Sequence, residues 1–124
     1  NLNLNNHVRF FFYYNNTESI IRNCDLLVHT SNREAFGLVL LETMILGIPI
    51  ISTNVEAIPE ILKGTKYVLI PPNDVDRLRE VILEHFEISL EERRKIILSG
   101  KARANEFTKK GKRVSEIISL IKKT

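Results

Sequence analysis

Three features of the sequence predict an α/β fold, a Rossmann-like parallel sheet flanked by helices. Short runs rich in branched and aromatic residues alternate with stretches of helical character, the order expected of a parallel sheet. The first of these runs, VRFFFY, is apolar or aromatic at nearly every position, as in a strand covered on both faces. Gly47, Gly64 and the Pro71-Pro72-Asn73 break fall between elements, where turns are needed.

The elements follow in order. Asn1 to Asn6 is a polar lead-in, Val8 to Tyr13 the first predicted strand, and Asn15-Asn16 a turn. Thr17 is placed to cap a short helix over Glu18 to Asn23. Asp25 to Thr30 is the second strand, Phe36 to Leu46 a helix, and Ile48 to Thr53 the third strand. Pro59 and Glu60 open a short helix, with proline at its first position and an acid in its first turn. Tyr67 to Ile70 is the fourth strand, Asp74 caps a helix to about Phe86, and Ser89 caps one from Leu90 to about Phe107. Thr108 is expected to cap a last helix, in which Val114, Ile117, Ile118 and Ile121 recur at helical spacing. Ligands of parallel sheets sit beyond the C-terminal strand ends, so the loops at Tyr13–Asn16, Thr30–Ala35 and Thr53–Ala57 should share one rim.

The stretch from Thr30 to Leu62 organises the rest. Polar Ser31-Asn32-Arg33-Glu34 precedes a helix that is apolar at nearly every position and stops at Gly47. Such a helix belongs in the interior of a layered protein. Glu42 is then the odd residue, because an unanswered carboxylate is expensive to bury. Glu34 and Glu42 stand eight positions apart, roughly 12 Å if all of it is helix, about the length of a sugar–diphosphate–ribose unit. The helix N-terminus offers unpaired amides and the positive end of the dipole, and Gly37 lets a ligand approach the backbone.

EAFGLVLLE, followed by GIPIIST and IPEIL, resembles the Glu-x7-Glu signature of the retaining glycosyltransferases of the GT-B fold, family 4 (glycosyl transferases group 1). Upstream, NNHVRFFFY and CDLLVHTS resemble the strands that precede the signature. Downstream, YVLIPPNDVDRLREVI and ANEFTKKGKRVSEIISLI resemble the stretch after it and the closing helices. The resemblance implies that residues 1–124 are a single partial nucleotide-sugar (donor) binding domain, with C-terminal helices from about 89 to 124. It implies that Glu34 approaches the donor sugar's hydroxyls as the catalytic residue and that Glu42 binds the ribose hydroxyls. The backbone of Phe36, Gly37, Leu38 and Val39 then lies against the sugar and diphosphate. No metal or other cofactor is implied. One departure falls at Glu56-Ala57, where many relatives carry a Gly-Gly pair.

Composition bounds these expectations. At 124 residues the chain is one domain, and 44% hydrophobic residues suffice for a core. The resemblance implies a longer enzyme, so the chain, which starts at Asn1, is expected to be a fragment. The N-terminal acceptor domain and the Lys or Arg that neutralises the diphosphate would lie outside it. The single Cys24 excludes an internal disulfide and is expected to be a small core residue, and no apolar run is long enough to span a membrane. A cytoplasmic location is expected. The net charge of +3 is local, with Lys101, Arg103, Lys109, Lys110, Lys112, Arg113, Lys122 and Lys123 crowding the C-terminal end. That end reads as a solvated face, as a peripheral contact with anionic lipid of the inner membrane, or as a surface docking on the acceptor domain, which the resemblance favours. Nucleic acid is not an expected partner, since no aromatics interleave the basic residues.

His7, His29 and His85 share no metal-like spacing with one another or with Cys24. His29 lies beside the rim, where a satisfied structural histidine is the expected role, and Glu60 is expected to be a helix-start acid. Two other functions stand beside glycosyl transfer to a glycan or lipid-linked acceptor in polysaccharide synthesis. One is a nucleotide-sugar epimerase of the same fold, and the other is a non-catalytic module. A test for transferred against isomerised sugar separates the first.

Overall fold

The computed structural model describes residues 2–12, 15–34 and 37–110. Its elements are α1 (Thr17–Arg22), β1 (Leu27–His29), α2 (Leu38–Leu46), β2 (Ile50–Thr53), α3 (Ile58–Ile61), β3 (Val68–Ile70), α4 (Val75–Glu87) and α5 (Leu90–Lys110). The three strands form one parallel sheet in the order β1-β2-β3, with Leu27 opposite Ile50 and Ile51 opposite Val68. The chain is thus an α/β layer structure, as the alternation predicts.

Chain order and spatial order coincide in this sheet, and the crossovers through α2 and α3 lie on the same face. There Leu40, Leu41, Met44, Ile58, Ile61 and Leu62 pack with Ile50 and Tyr67 into the larger core. The long helix α5 closes that layer through Ala104, Ile96 and Phe107. On the opposite face α4 lays Val81, Leu78 and Ile82 over Ile51, Ile70 and Val68. The middle strand, β2, is buried at every position, as a parallel strand covered on both sides must be.

Local signals set most of the boundaries. Gly47 closes α2 in the left-handed region, with its N–H and that of Ile48 donating to Met44 and Thr43 carbonyls. Asp74 accepts from the Arg77 amide at the start of α4, and Ser89 Oγ accepts from the Glu92 amide at the start of α5. The cap of α1 is Asn16 rather than Thr17, its side chain accepting from the Ser19 amide. Thr108 is not a cap either. Helix α5 runs through it to Lys110, and its hydroxyl donates back to the Asn105 carbonyl. The predicted last helix, with Val114, Ile117, Ile118 and Ile121, lies outside the described residues.

One predicted strand is not formed. Val8 to Phe12 is irregular and exposed, and the rings of Phe10 and Phe12 stack on each other, 6.1 Å apart. Branched and aromatic residues favour a strand when a neighbouring strand takes their backbone groups and a layer covers their side chains. No described strand offers Val8 to Phe12 such a neighbour. Tyr13 lies outside the described residues.

Tyr67 shows how tightly the α5 layer is built. Its ring lies against Gly100, where an added Cβ would stand 1.7 Å from the hydroxyl oxygen and 2.4 Å from Cζ. Burial pushes the Tyr67 phenol up to about 12.

Candidate active site

The residues expected to form the site gather at the C-terminal ends of β1 and β2. The Thr53 hydroxyl, 2% exposed at the end of β2, donates to the Ser31 carbonyl at 2.6 Å and draws the loop after β1 onto the sheet. Glu34 ends the described part of that loop and is held on all sides. Its N–H donates to Glu56 Oε2 at 2.9 Å, and its carbonyl accepts from the Ala57 N–H at 3.4 Å. Its carboxylate accepts the Gly37 N–H on Oε1 at 3.0 Å, while Oε2 lies 3.2 Å from His29 Nε2. The second ring nitrogen of His29 is 3.2 Å from Ser52 Oγ, on the adjacent strand and in direct register. His29 is therefore a satisfied histidine whose partner is the site carboxylate.

The Glu56 contact carries a backbone cost. Its φ is +47°, in the left-handed region that a residue with a Cβ adopts reluctantly. This is the position at which the sequence departs from the glycine pair of the family it resembles. Strain of this kind persists where surrounding contacts over-determine it. Here the Glu56 carboxylate and the Ala57 amide both grip Glu34.

Helix α2 begins at Leu38, with Gly37 as its cap at φ +59°. Glu34 is thus in the loop and only Leu38 to Glu42 is helical, so the expected eight-residue helical span is shortened to about 6 Å of helix plus the loop. The cause is Gly37 itself, which turns the chain through the left-handed region and cannot continue a right-handed helix. Leu38 and Val39 pack their side chains against the larger core. Glu42 is 4% exposed on the second turn of α2. Phe36 lies outside the described residues, as does Ala35.

Of the three loops expected on one rim, Thr30 to Glu34 and Thr53 to Ala57 are joined by the bonds above. The Asn54 N–H adds a bond to the Ile70 carbonyl at the end of β3. The Tyr13 to Asn16 loop is tied to neither among the described residues; Asn16 serves α1 instead. On the α4 side of the same rim a cavity of about 290 Å³ opens between Thr30, Thr53, Ile70 and Leu78.

Comparisons with known proteins bear on the family and the fold. The family model of glycosyl transferases group 1 matches residues 1–103. The chain belongs to this family. It is 40% identical over 63 residues to the N-acetyl-alpha-D-glucosaminyl L-malate synthase of Bacillus anthracis, covering 51% of this chain and 16% of that one. It is 37% identical over 99 residues to an uncharacterized glycosyltransferase of Methanocaldococcus jannaschii, covering 78% and 26%. Over 60 residues it is 38% identical to the O-antigen chain mannosyltransferase B of Escherichia coli, covering 48% and 16%. Among solved structures, the Anabaena protein HepE in complex with UDP-glucose superposes with a TM-score of 0.66 at 25% identity, over 81% of this chain and 29% of that one. The fold is that of a GT-B glycosyltransferase, and the chain spans less than a third of the length of each of these proteins.

Two features of this glycosyl transferases group 1 chain were not legible as site residues. Glu56 was visible only as a departure from a glycine pair, and nothing in the spacing couples it to Glu34, 22 positions earlier. Ser52 reads as an ordinary buried strand residue until the parallel register sets it beside His29. The basic end is also partly redefined. Arg103 donates from Nε to the Ile61 carbonyl at 3.0 Å and from Nη2 to the Glu60 carbonyl at 2.7 Å, and its guanidinium lies 4.4 Å above the Phe107 ring. It holds the C-terminal end of α3 as a cation favoured at that end of the dipole. Of the rest, the Lys109 and Lys110 side chains and all of Lys112, Arg113, Lys122 and Lys123 lie outside the described structure. Glu60 stands exposed in the first turn of α3, as a helix-start acid does. Among the described residues no three His, Cys, Asp or Glu side chains converge on a metal position, and no helix is long and apolar enough to cross a membrane.

Proposed function

We propose that this chain is the donor-binding part of a retaining glycosyltransferase of family 4, which moves a hexosyl unit from a nucleotide diphosphate sugar to a glycan or lipid-linked acceptor. The observation that carries the reading is the fixed Glu34 carboxylate at the approach to α2. A carboxylate has about four lone-pair sites. Gly37 and His29 each hold one of its oxygens, which aims the group at hydroxyls of a sugar laid over the helix start.

The chemistry divides among the parts of the site. The first amides of α2, at Leu38 and Val39, have no partners within the helix and point at an incoming diphosphate, with the dipole favouring its charge. As the leaving diphosphate departs and positive charge grows at the anomeric carbon, Glu34 holds the sugar hydroxyls and stabilises that charge through space. Glu42, in low-dielectric surroundings, is a strong acceptor for ribose hydroxyls. The basic residue opposing the diphosphate and the acceptor come from the rest of the protein, the acceptor through an N-terminal domain. No metal is required by this scheme. The UDP-glucose bound to HepE supports a nucleotide-sugar donor. The O-antigen relative supports a role in bacterial envelope polysaccharide synthesis. We place the enzyme in the cytoplasm, with peripheral contact at the inner face of the membrane.

The test is titration of the full-length protein that contains this chain with UDP-, GDP- and ADP-sugars by calorimetry. One base should bind and weaken on Glu42→Ala. Glu34→Gln should stay folded and lose turnover, and the wild-type product should keep the donor's anomeric configuration by NMR. Normal turnover by Glu34→Gln, or an isomerised free sugar as product, would sink the reading.

A further inference from the structure

We propose that His29 is a positioning residue, oriented by Ser52, that sets the Glu34 carboxylate for the donor sugar; the inference rests on the donor reading above. The ring stands at the end of β1 with 12% of its side chain exposed, between a hydroxyl buried in the sheet and the carboxylate at the rim. Ser52 is fully buried and opposite His29 in the β1–β2 register, so backbone pairing fixes where the hydroxyl sits.

The bonding capacity of each group sets the hydrogens. The Glu34 carboxylate only accepts, and its Oε1 already accepts the Gly37 N–H, so His29 Nε2 must carry the hydrogen directed at Oε2. Nδ1 lies 3.2 Å from Ser52 Oγ, a group able to accept from a protonated ring nitrogen or to donate to a bare one. The Ser52 hydroxyl donates to the Thr53 carbonyl, also at 3.2 Å. The ring is thereby held at both nitrogens in one orientation. A contact at each oxygen fixes the direction of the carboxylate more closely than a contact at one, and His29 supplies the contact at Oε2. Glu56 and Ala57 fix the Glu34 main chain, and His29 completes the constraint at the side chain.

The full-length protein tests this without any ligand. In ¹⁵N-imidazole spectra His29 should show a hydrogen on Nε2, and its signals should move on Ser52→Ala and on Glu34→Gln. A His29 unmoved by both substitutions overturns the relay. With UDP-glucose as donor, His29→Leu and His29→Asn should lose on the order of 100-fold in kcat with KM little changed, the scale of a misplaced reacting group. His29→Gln should regain most of the loss, because its amide nitrogen falls near the Nε2 position, whereas that of Asn falls near Nδ1. A merely structural histidine would change thermal stability while leaving turnover per folded molecule equal in all three, and that result also overturns the proposal. If the wild-type protein binds none of the UDP-, GDP- or ADP-sugars, the donor reading falls, and the tautomer spectra still decide the relay.

Discussion

Gly37 joins the fold to the site, and replacing it with alanine separates their contributions. The residue caps α2 at φ +59°, and a Cβ built there meets Ile61 Cδ1 at 2.5 Å, with Leu40 Cδ1 at an ordinary 3.5 Å. Two costs follow. The left-handed backbone penalises any residue with a Cβ by roughly 1–2 kcal/mol. Moving the end of the Ile61 side chain off its rotamer adds about 0.5–1.5 kcal/mol. Gly37→Ala should therefore destabilise by roughly 2–3 kcal/mol in urea unfolding followed by circular dichroism. The backbone N–H that Glu34 accepts is retained. A double-mutant cycle divides the loss: Ile61→Val removes Cδ1, costs about 1 kcal/mol in the wild type, and should cost close to nothing in the Gly37→Ala background. A coupling of about 1 kcal/mol is expected. Zero coupling, or a Gly37→Ala protein as stable as the wild type, would refute the packing and the left-handed cap.

Gly100→Ala should lose more than about 2 kcal/mol despite the gain of about 1 kcal/mol in helix propensity, because its Cβ would enter the Tyr67 ring, and a thermal melt reads the difference. At Glu56, relief of the φ +47° strain by Gly offsets the lost bond to the Glu34 amide. Glu56→Gly should thus exceed Glu56→Ala in stability by about 1 kcal/mol, and equal melts would show the strain to be absent. His85 is held below its ordinary 6.5, first by burial and then by Arg93, with Asp25 pulling the other way. The unfolded chain therefore takes up the proton first, and stability present above pH 6.5 is lost as pH falls toward the depressed folded value. Urea midpoints between about pH 7 and pH 5 should decline in the wild type and flatten in His85→Gln.

The caps, the glycine stop and the alternation of elements were written in short-range chemistry, and they are where sequence and structure agree. Asp74, Ser89 and Gly47 each act within a few residues of themselves, so their roles are readable without knowing the fold. The Glu34 to Glu42 stretch was legible for the same reason: polar loop, glycine and apolar helix are consecutive. Val8 to Phe12 was not, because a strand is a relation between chain segments, and composition cannot supply the neighbour. Thr108 misled because a threonine inside a helix can return its hydroxyl to the preceding turn as readily as cap a new one.

By itself, then, the sequence determined the α/β class and the family, since these follow from the alternation of elements and a contiguous signature, and it marked out the candidate segment. Tertiary structure decided how Glu34 is held. Parallel register set Ser52 beside His29, the crossover through α3 brought Glu56 and Ala57 back to the loop, and the long α5 turned Arg103 from a surface charge into the anchor of α3. Those residues lie about 20 to 40 positions from their partners, farther than any local pattern reaches, and only the packing of helices on the sheet closes the distance.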